Sequence, residues 1–171
     1  MREAAIPAIQ KLDELGIKYY YYEHALAKTM EDCEGIGADV GAKHFKNIYA
    51  CDRSETDFYI IIIRADKKCK TSEVSKKLGV SRLSFCTDEM LEANLGVVSG
   101  AVTPLALMND KEHKTLLVVD KDILRDEMIC CHPLTSDASV AMHRYDLIRF
   151  VRDCGNEIKF LDIGEAAEGE E

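Results

Sequence analysis

A chain of 171 residues, 47% hydrophobic and 31% charged, has the make-up of one soluble globular domain able to bury a real core. Its net charge of −9 argues against a surface built throughout to hold nucleic acid. Seven cysteines, an odd number without a Cys-x-x-Cys pair, suggest neither a disulfide framework nor a zinc ribbon. The apolar run Tyr59 to Ile63 is far too short to span a bilayer. MREAAIPAIQKLDELG lacks the apolar core of a secretory signal, so the cytoplasm is the expected location, with no membrane partner.

Glu3 to Leu15 places Ile6, Ile9, Leu12 and Leu15 on one helical face, and Gly16 supplies the stop. IKYYYYE reads as a strand rich in aromatic side chains. Thr29 before Met-Glu-Asp predicts an N-cap and a short helix, which Gly35, Gly37 and Gly41 end in a loop. FKNIYACD and DFYIIIIRA are strands joined by a polar turn at Arg53 to Thr56. The second is apolar at nearly every position, which predicts cover on both faces near the sheet centre.

Ser72 to Leu78 is a short helix stopped by Gly79, and RLSFC is a strand. Thr87-Asp88-Glu89 caps the helix MLEANLG. The stretch GVVSGAVTPLALMND follows, in which Gly100 and Pro104 make a stiff loop whose backbone can approach a ligand. Pro104 is expected to mark the entry to a strand, LALMND, with KTLLVVD as its hairpin partner. Ile123 and Leu124 form one helical turn, EMICC a strand, HPLTSD a loop and ASVAMH a further strand. Tyr145 to Cys154 is an amphipathic helix with Leu147, Ile148 and Val151 inward, and EIKFLDI closes the chain as a strand. The expectation is one α+β domain over residues 1–164, a mixed, mostly antiparallel sheet flanked by helices, with a loose acidic tail at 165–171.

Charge is unevenly spread. From Val40 to Phe85 there are ten basic and five acidic residues, so an acidic chain still offers a basic face to phosphates. Lys46, between His44 and Asn47 at a strand start, could hold a phosphate or carboxylate as a point charge, or simply be a solvated strand-edge lysine. His132 follows Cys130-Cys131, but adjacent cysteines fit two tetrahedral positions poorly and no second ligand pair has a zinc spacing. It reads as a loop histidine, either hydrogen-bonding in a pocket or purely structural. No Gly-x-Ser-x-Gly elbow and no phosphate-binding Gly-x-x-x-x-Gly-Lys loop occur.

KHFKNIYACD, LSFCTDEMLEANLGVVSG, GVVSGAVTPLALMND and ICCHPLTSDASVAM, in that order, resemble the freestanding prolyl-tRNA editing domains of the YbaK/ProX superfamily. The likeness runs from about Tyr19 to Asp162, and Val-Thr-Pro in the loop is closer to the alanine-editing ProX type than to the cysteine-editing YbaK type. The resemblance implies a hydrolase that cleaves the ester of mischarged Ala-tRNA(Pro), with tRNA(Pro) as partner and prolyl-tRNA synthetase as a further one. It implies Lys46 on the 3′-terminal adenosine and its phosphate, with Asn47 positioning the substrate. The backbone of Gly100, Ala101, Val102, Thr103 and Pro104 would hold the aminoacyl group, and His132 would line the pocket. Water attacks with help from the terminal ribose hydroxyl, without protein nucleophile, metal or cofactor. The basic stretch Lys67-Lys68-Cys69-Lys70 either touches the acceptor stem or is a solvated loop. Two other readings stay open: the same hydrolase acting on cysteinyl or another small aminoacyl ester, and a non-catalytic module that senses an amino acid or charged tRNA.

Overall fold

The computed structural model describes residues 1–164, so the acidic tail at 165–171 lies outside the described residues. Eight strands form one mixed sheet: β1 (Tyr19–Glu23), β2 (Lys43–Cys51), β3 (Phe58–Arg64), β4 (Ser84–Phe85), β5 (Thr115–Asp120), β6 (Met128–Cys131), β7 (Ala138–His143) and β8 (Ile158–Leu161). Their order is β1-β7-β6-β2-β3-β5-β8, with the two-residue β4 also paired to β2. The pairs β1–β7, β6–β7, β2–β3 and β2–β4 are antiparallel, whereas β2–β6, β3–β5 and β5–β8 are parallel. Helices α1 (Ile6–Glu14), α2 (Thr71–Leu78), α3 (Asp88–Leu95) and α4 (Arg144–Cys154) complete the α+β domain. No described helix is long and apolar enough to cross a membrane.

β3 occupies the centre, as its unbroken apolar run predicts. Alternate residues face opposite ways along a strand. Phe58, Ile60 and Ile62 enter the larger core, beneath α1, α3 and α4. Tyr59, Ile61 and Ile63 enter a second core, which includes Val74 of α2 and Leu83. Ile60 to Ile63 are all fully buried, and truncating any of them to Ala would lose its transfer energy and leave a cavity as well.

The helix signals also hold. Thr87 Oγ1 accepts from the Met90 N–H at 3.1 Å, and Gly96 ends α3 in the left-handed region. Leu147, Ile148 and Val151 of α4 are buried with Phe150. In α1 the buried face is Ala8, Ile9 and Leu12, extended by Ala5 from the preceding 3-10 turn, while Ile6 is exposed. The helix needs small residues where it lies close to the core, so the stripe is shifted from the one that the large side chains mark.

The LALMND hairpin is not formed. Pro104–Asn109 is a 3-10 helix, with Pro104 at its first turn and Thr103 Oγ1 accepting from the Leu105 N–H at 3.3 Å. Proline is well suited to a helix start, where its missing N–H costs nothing. A short apolar run cannot be assigned to strand or helix by periodicity alone. KTLLVVD, in β5, pairs instead with β3 and β8, both parallel, so its two edges are filled from elsewhere.

Candidate active site

β2 and β6 run parallel but are paired only at Lys43–Ile129 and His44–Cys130. Beyond those residues the strands part, and a cavity of about 370 Å³ lies in the fork. One wall is Phe45, Lys46 and Asn47, and the other is Cys130, Cys131 and His132. Lys46 is in register with Ile63 of the second core and Asn47 with Ile62 of the first. Residues opposite one another in an antiparallel pair share a face. Lys46 and Asn47 therefore leave β2 on opposite faces, and they can line one cavity because β6 no longer covers the strand between them.

Ser99, Gly100 and Val102 close the cavity from the loop after α3. Gly100 has φ +90, a conformation that side chains rarely adopt. A Cβ there would meet nothing nearer than Lys28 Cγ at 3.9 Å, so the need for glycine is conformational rather than steric. Among the described residues, the N–H groups of Gly100 and Val102 have no acceptor, whereas that of Ala101 bonds to Val98 O at 3.0 Å. Ala101, Thr103 and Pro104 are buried and stand behind the wall rather than on it. Their part is to anchor the loop to the 3-10 helix.

His132 Nδ1 lies 2.8 Å from the Ala138 carbonyl, which can only accept. The proton is therefore on Nδ1, and Nε2 is left as an acceptor. Burial lowers the His132 pKa below the ordinary histidine value, against the bond to Ala138, and the nearby imidazoles of His24 and His44 add to the lowering. His44 donates to the Ile36 carbonyl at 2.9 Å, and burial likewise pushes its pKa down. The downward shift favours the neutral form of both rings. Asn47 Nδ2 donates to Phe45 O at 3.3 Å, while its buried Oδ1 has no partner among the described residues. Leaving such an acceptor unpaired costs about 1–3 kcal/mol, which a ligand N–H could recover.

The sequence reading missed the loop that roofs the cavity, Ala27 to Met30. Asp32 organises it: its Oδ2 accepts from the N–H groups of Lys28 and Thr29 at 2.9 and 3.1 Å, and Thr29 Oγ1 accepts from the Asp32 N–H at 3.2 Å. These bonds from Lys28 and Thr29 hold the Asp32 carboxyl below its usual pKa range. The short helix expected here is a single 3-10 turn, Glu31–Cys33, whose N-cap position is Met30 without a side-chain cap bond, so Thr29 ties the loop together rather than capping a helix. Nothing in the sequence indicated that the loop would carry Lys28 across to Gly100.

The stretch Lys67 to Lys70 is not a uniform basic patch. Lys68 and Lys70 are exposed, but Lys67 is buried, with its Nζ 3.0 Å from Asp120 Oδ1 and 2.7 Å from Asp122 Oδ2. Burial pulls the Lys67 pKa down, but the bonds to Asp122 and Asp120 outweigh it and the net shift is upward. The bond from Lys67 lowers the pKa of Asp122. A raised lysine pKa gives stability that is complete below the unfolded value of about 10.4 and is lost as pH rises through the folded one. A lowered carboxylate pKa gives stability that is complete above the unfolded value of about 3.9 and is lost as pH falls through the folded one. The pair should stabilise the fold evenly between about pH 5 and pH 9 and fail in acid. Thermal melts of wild type and Asp122→Asn from about pH 3 to pH 7 check this, the variant being expected to show the shallower acid decline.

The aminoacyl-tRNA editing domain family matches residues 24–150. The prolyl-tRNA editing protein ProX of Acetoanaerobium sticklandii is 29% identical over 161 residues, covering 94% of this chain and 98% of that one. A prolyl-tRNA synthetase associated domain-containing protein 1 from Danio rerio is 29% identical over 144 residues, 83% of this chain and 78% of the relative. The crystal structure of a candidate trans-editing enzyme for prolyl tRNA synthetase superposes with a TM-score of 0.74 at 16% identity, covering 97% of this chain and 99% of that one. That likeness carries the fold. The family match spans the parted strands, the glycine loop and His132 together, and the chain belongs to the aminoacyl-tRNA editing domain family.

Proposed function

We propose that the chain is a trans-editing deacylase that hydrolyses the ester of Ala-tRNA(Pro) to alanine and tRNA(Pro). The observation that carries this reading is the convergence of Lys46, Asn47, Gly100 and His132 on one cavity. Membership of the editing family supplies the reaction class, and the relatives named for prolyl-tRNA support tRNA(Pro) as the carrier. The Val-Thr-Pro of the loop favours alanine as the amino acid.

The residues divide the work as follows. The charges of Lys46 and Lys28 at the cleft draw in the 3′-terminal nucleotide and its phosphate. Asn47 Oδ1 accepts from the α-ammonium of the aminoacyl group. The unpaired N–H groups of Gly100 and Val102 face the ester carbonyl and stabilise the oxyanion that forms on it. Water adds to the carbonyl carbon, the bond to the ribose oxygen breaks, and the proton ends on that oxygen. Neutral His132 orients the water or the neighbouring ribose hydroxyl through Nε2. The catalysis is positioning and electrostatics, with no covalent enzyme intermediate.

A synthetase pocket sized for proline can reject the smaller alanine by only a few kcal/mol, so a second site that admits alanine and not proline has a purpose. Association with prolyl-tRNA synthetase would raise the local concentration of the mischarged tRNA. The test is deacylation of Ala-, Cys- and Pro-tRNA(Pro) by the purified protein. Alanine should be released and the prolyl ester spared. Faster release of cysteine would move the substrate to cysteine, and no release from any of the three would favour the sensing module.

A further inference from the structure

We infer that Lys67 is a positioning residue: its buried ammonium pins the 65–70 loop so that the Lys67 carbonyl holds the Lys46 ammonium in the cleft. The consequence for catalysis rests on the deacylase reading above. Lys46 Nζ donates to the Lys67 carbonyl. What fixes that carbonyl is a knot of buried bonds. The three N–H donors of Lys67 Nζ are matched by Asp120 Oδ1 at 3.0 Å, Asp122 Oδ2 at 2.7 Å and the Ile163 carbonyl at 2.8 Å.

The Lys67 side chain is 5% exposed and that of Asp120 not at all. Asp120 Oδ2 accepts from the Arg64 N–H and its Oδ1 from the Asp122 N–H, both at 3.1 Å. The Lys67 N–H donates to the Arg64 carbonyl at 3.1 Å. The ends of β3 and β5, the turn after β5 and the segment after β8 are thus tied at one point, and the Lys67 carbonyl has little freedom to turn.

The benefit falls on Lys46. A lysine side chain has four rotatable carbons and about 2 kcal/mol of rotamer entropy to lose when it is fixed. Holding one of its N–H groups on a rigid carbonyl removes most of that loss before substrate arrives and leaves two N–H groups for the ligand. A surface lysine of the acceptor-stem type would need an ammonium in water, and Lys67 has none to offer.

The test uses Lys67→Met/Asp120→Asn, which removes both buried charges together so that neither is left unpaired. Three quantities are read: kcat and KM for Ala-tRNA(Pro), the thermal midpoint, and acetylation of Lys46 by acetic anhydride relative to Lys114, by mass spectrometry. We expect kcat to fall by about tenfold or more with KM within about twofold. Lys46 acetylation should rise severalfold. As a control for lost stability alone, Asn156→Ala breaks bonds to Asp110 and to the Thr115 carbonyl at the far end of β5 and should leave kcat and Lys46 reactivity unchanged.

Unchanged kcat and unchanged Lys46 reactivity in the folded double variant would overturn the inference. So would an Asn156→Ala variant that reproduced both changes. If the double variant does not fold, Asp122→Asn, which removes one leg of the knot at a partly exposed residue, should shift Lys46 reactivity in the same direction, and no shift counts against the inference. If wild type hydrolyses none of the charged tRNAs, the deacylase reading fails while the acetylation comparison still decides the Lys67–Lys46 coupling.

Discussion

Lys46→Ala should lower kcat/KM for Ala-tRNA(Pro) by about 10²–10³-fold, the usual scale for deleting one preorganised donor. Stability should hardly move. Lys46 is half-buried near the start of β2, its ladder with Ile63 is made by the backbone, and the carbonyl it leaves lies at a cleft that water can enter. Single-turnover deacylation, run beside circular-dichroism melts, separates the two effects. Lys46→Arg should recover only part of the loss, because a planar guanidinium does not reproduce a compact ammonium between the Lys67 carbonyl and a phosphate. Activity of Lys46→Ala within a few-fold of wild type would remove this residue from the proposed machinery.

Asp120→Ala should cost the fold far more stability than Lys46→Ala or Asp122→Asn. It leaves the Lys67 ammonium buried with Asp122 as its remaining carboxylate, and it strips the Arg64 and Asp122 N–H groups of their acceptor. Breaking one side of a buried ion pair costs about 3–5 kcal/mol. A domain of this kind is stable by roughly 5–15 kcal/mol in total. At roughly 2–4 °C per kcal/mol for this chain length, the thermal midpoint should drop by about 6–20 °C. Calorimetry at neutral pH measures it directly. A loss below about 1 kcal/mol would mean that water reaches Lys67 freely and that the knot is not a dry one.

The sequence was most legible where one local rule decides the structure. The unbroken run from Tyr59 to Ile63, isoleucine-rich and bounded by polar turns, read as a strand buried on both faces, and Thr87 before two acids read as a cap. Lys46, Asn47, Gly100 and His132 were found through motifs, and their meeting in one cavity follows from where β2 and β6 part. Spacing along the chain does not encode that point. Ala101, Thr103 and Pro104 share the motif but not the wall, since neighbouring residues of a loop need not face the same way. LALMN was misread because four apolar residues fit either a strand or a 3-10 turn, and the choice was made by tertiary pairing: β5 already had β3 and β8.

Lys67 was misread for a related reason. A lysine among lysines reads as surface, and its two carboxylates lie more than fifty residues further along the chain. Lys28 and His44 reach the cavity in the same way, through contacts that no local pattern announces.

The brief pairing of β2 with β6 has a consequence for how such a site can change. Two residue pairs join the half-sheet β1-β7-β6 to the half-sheet β2-β3-β5-β8, while each half is held by longer ladders of its own. The width of the fork is therefore an angle between two stiff plates rather than the reach of one side chain. Ile129, buried beside this joint, acts as its shim. Adding or removing a methylene there would open or close the cavity while every residue on its wall stayed the same. Preference among small amino acids could drift in this way through the core beneath the site, with the recognisable motifs left intact.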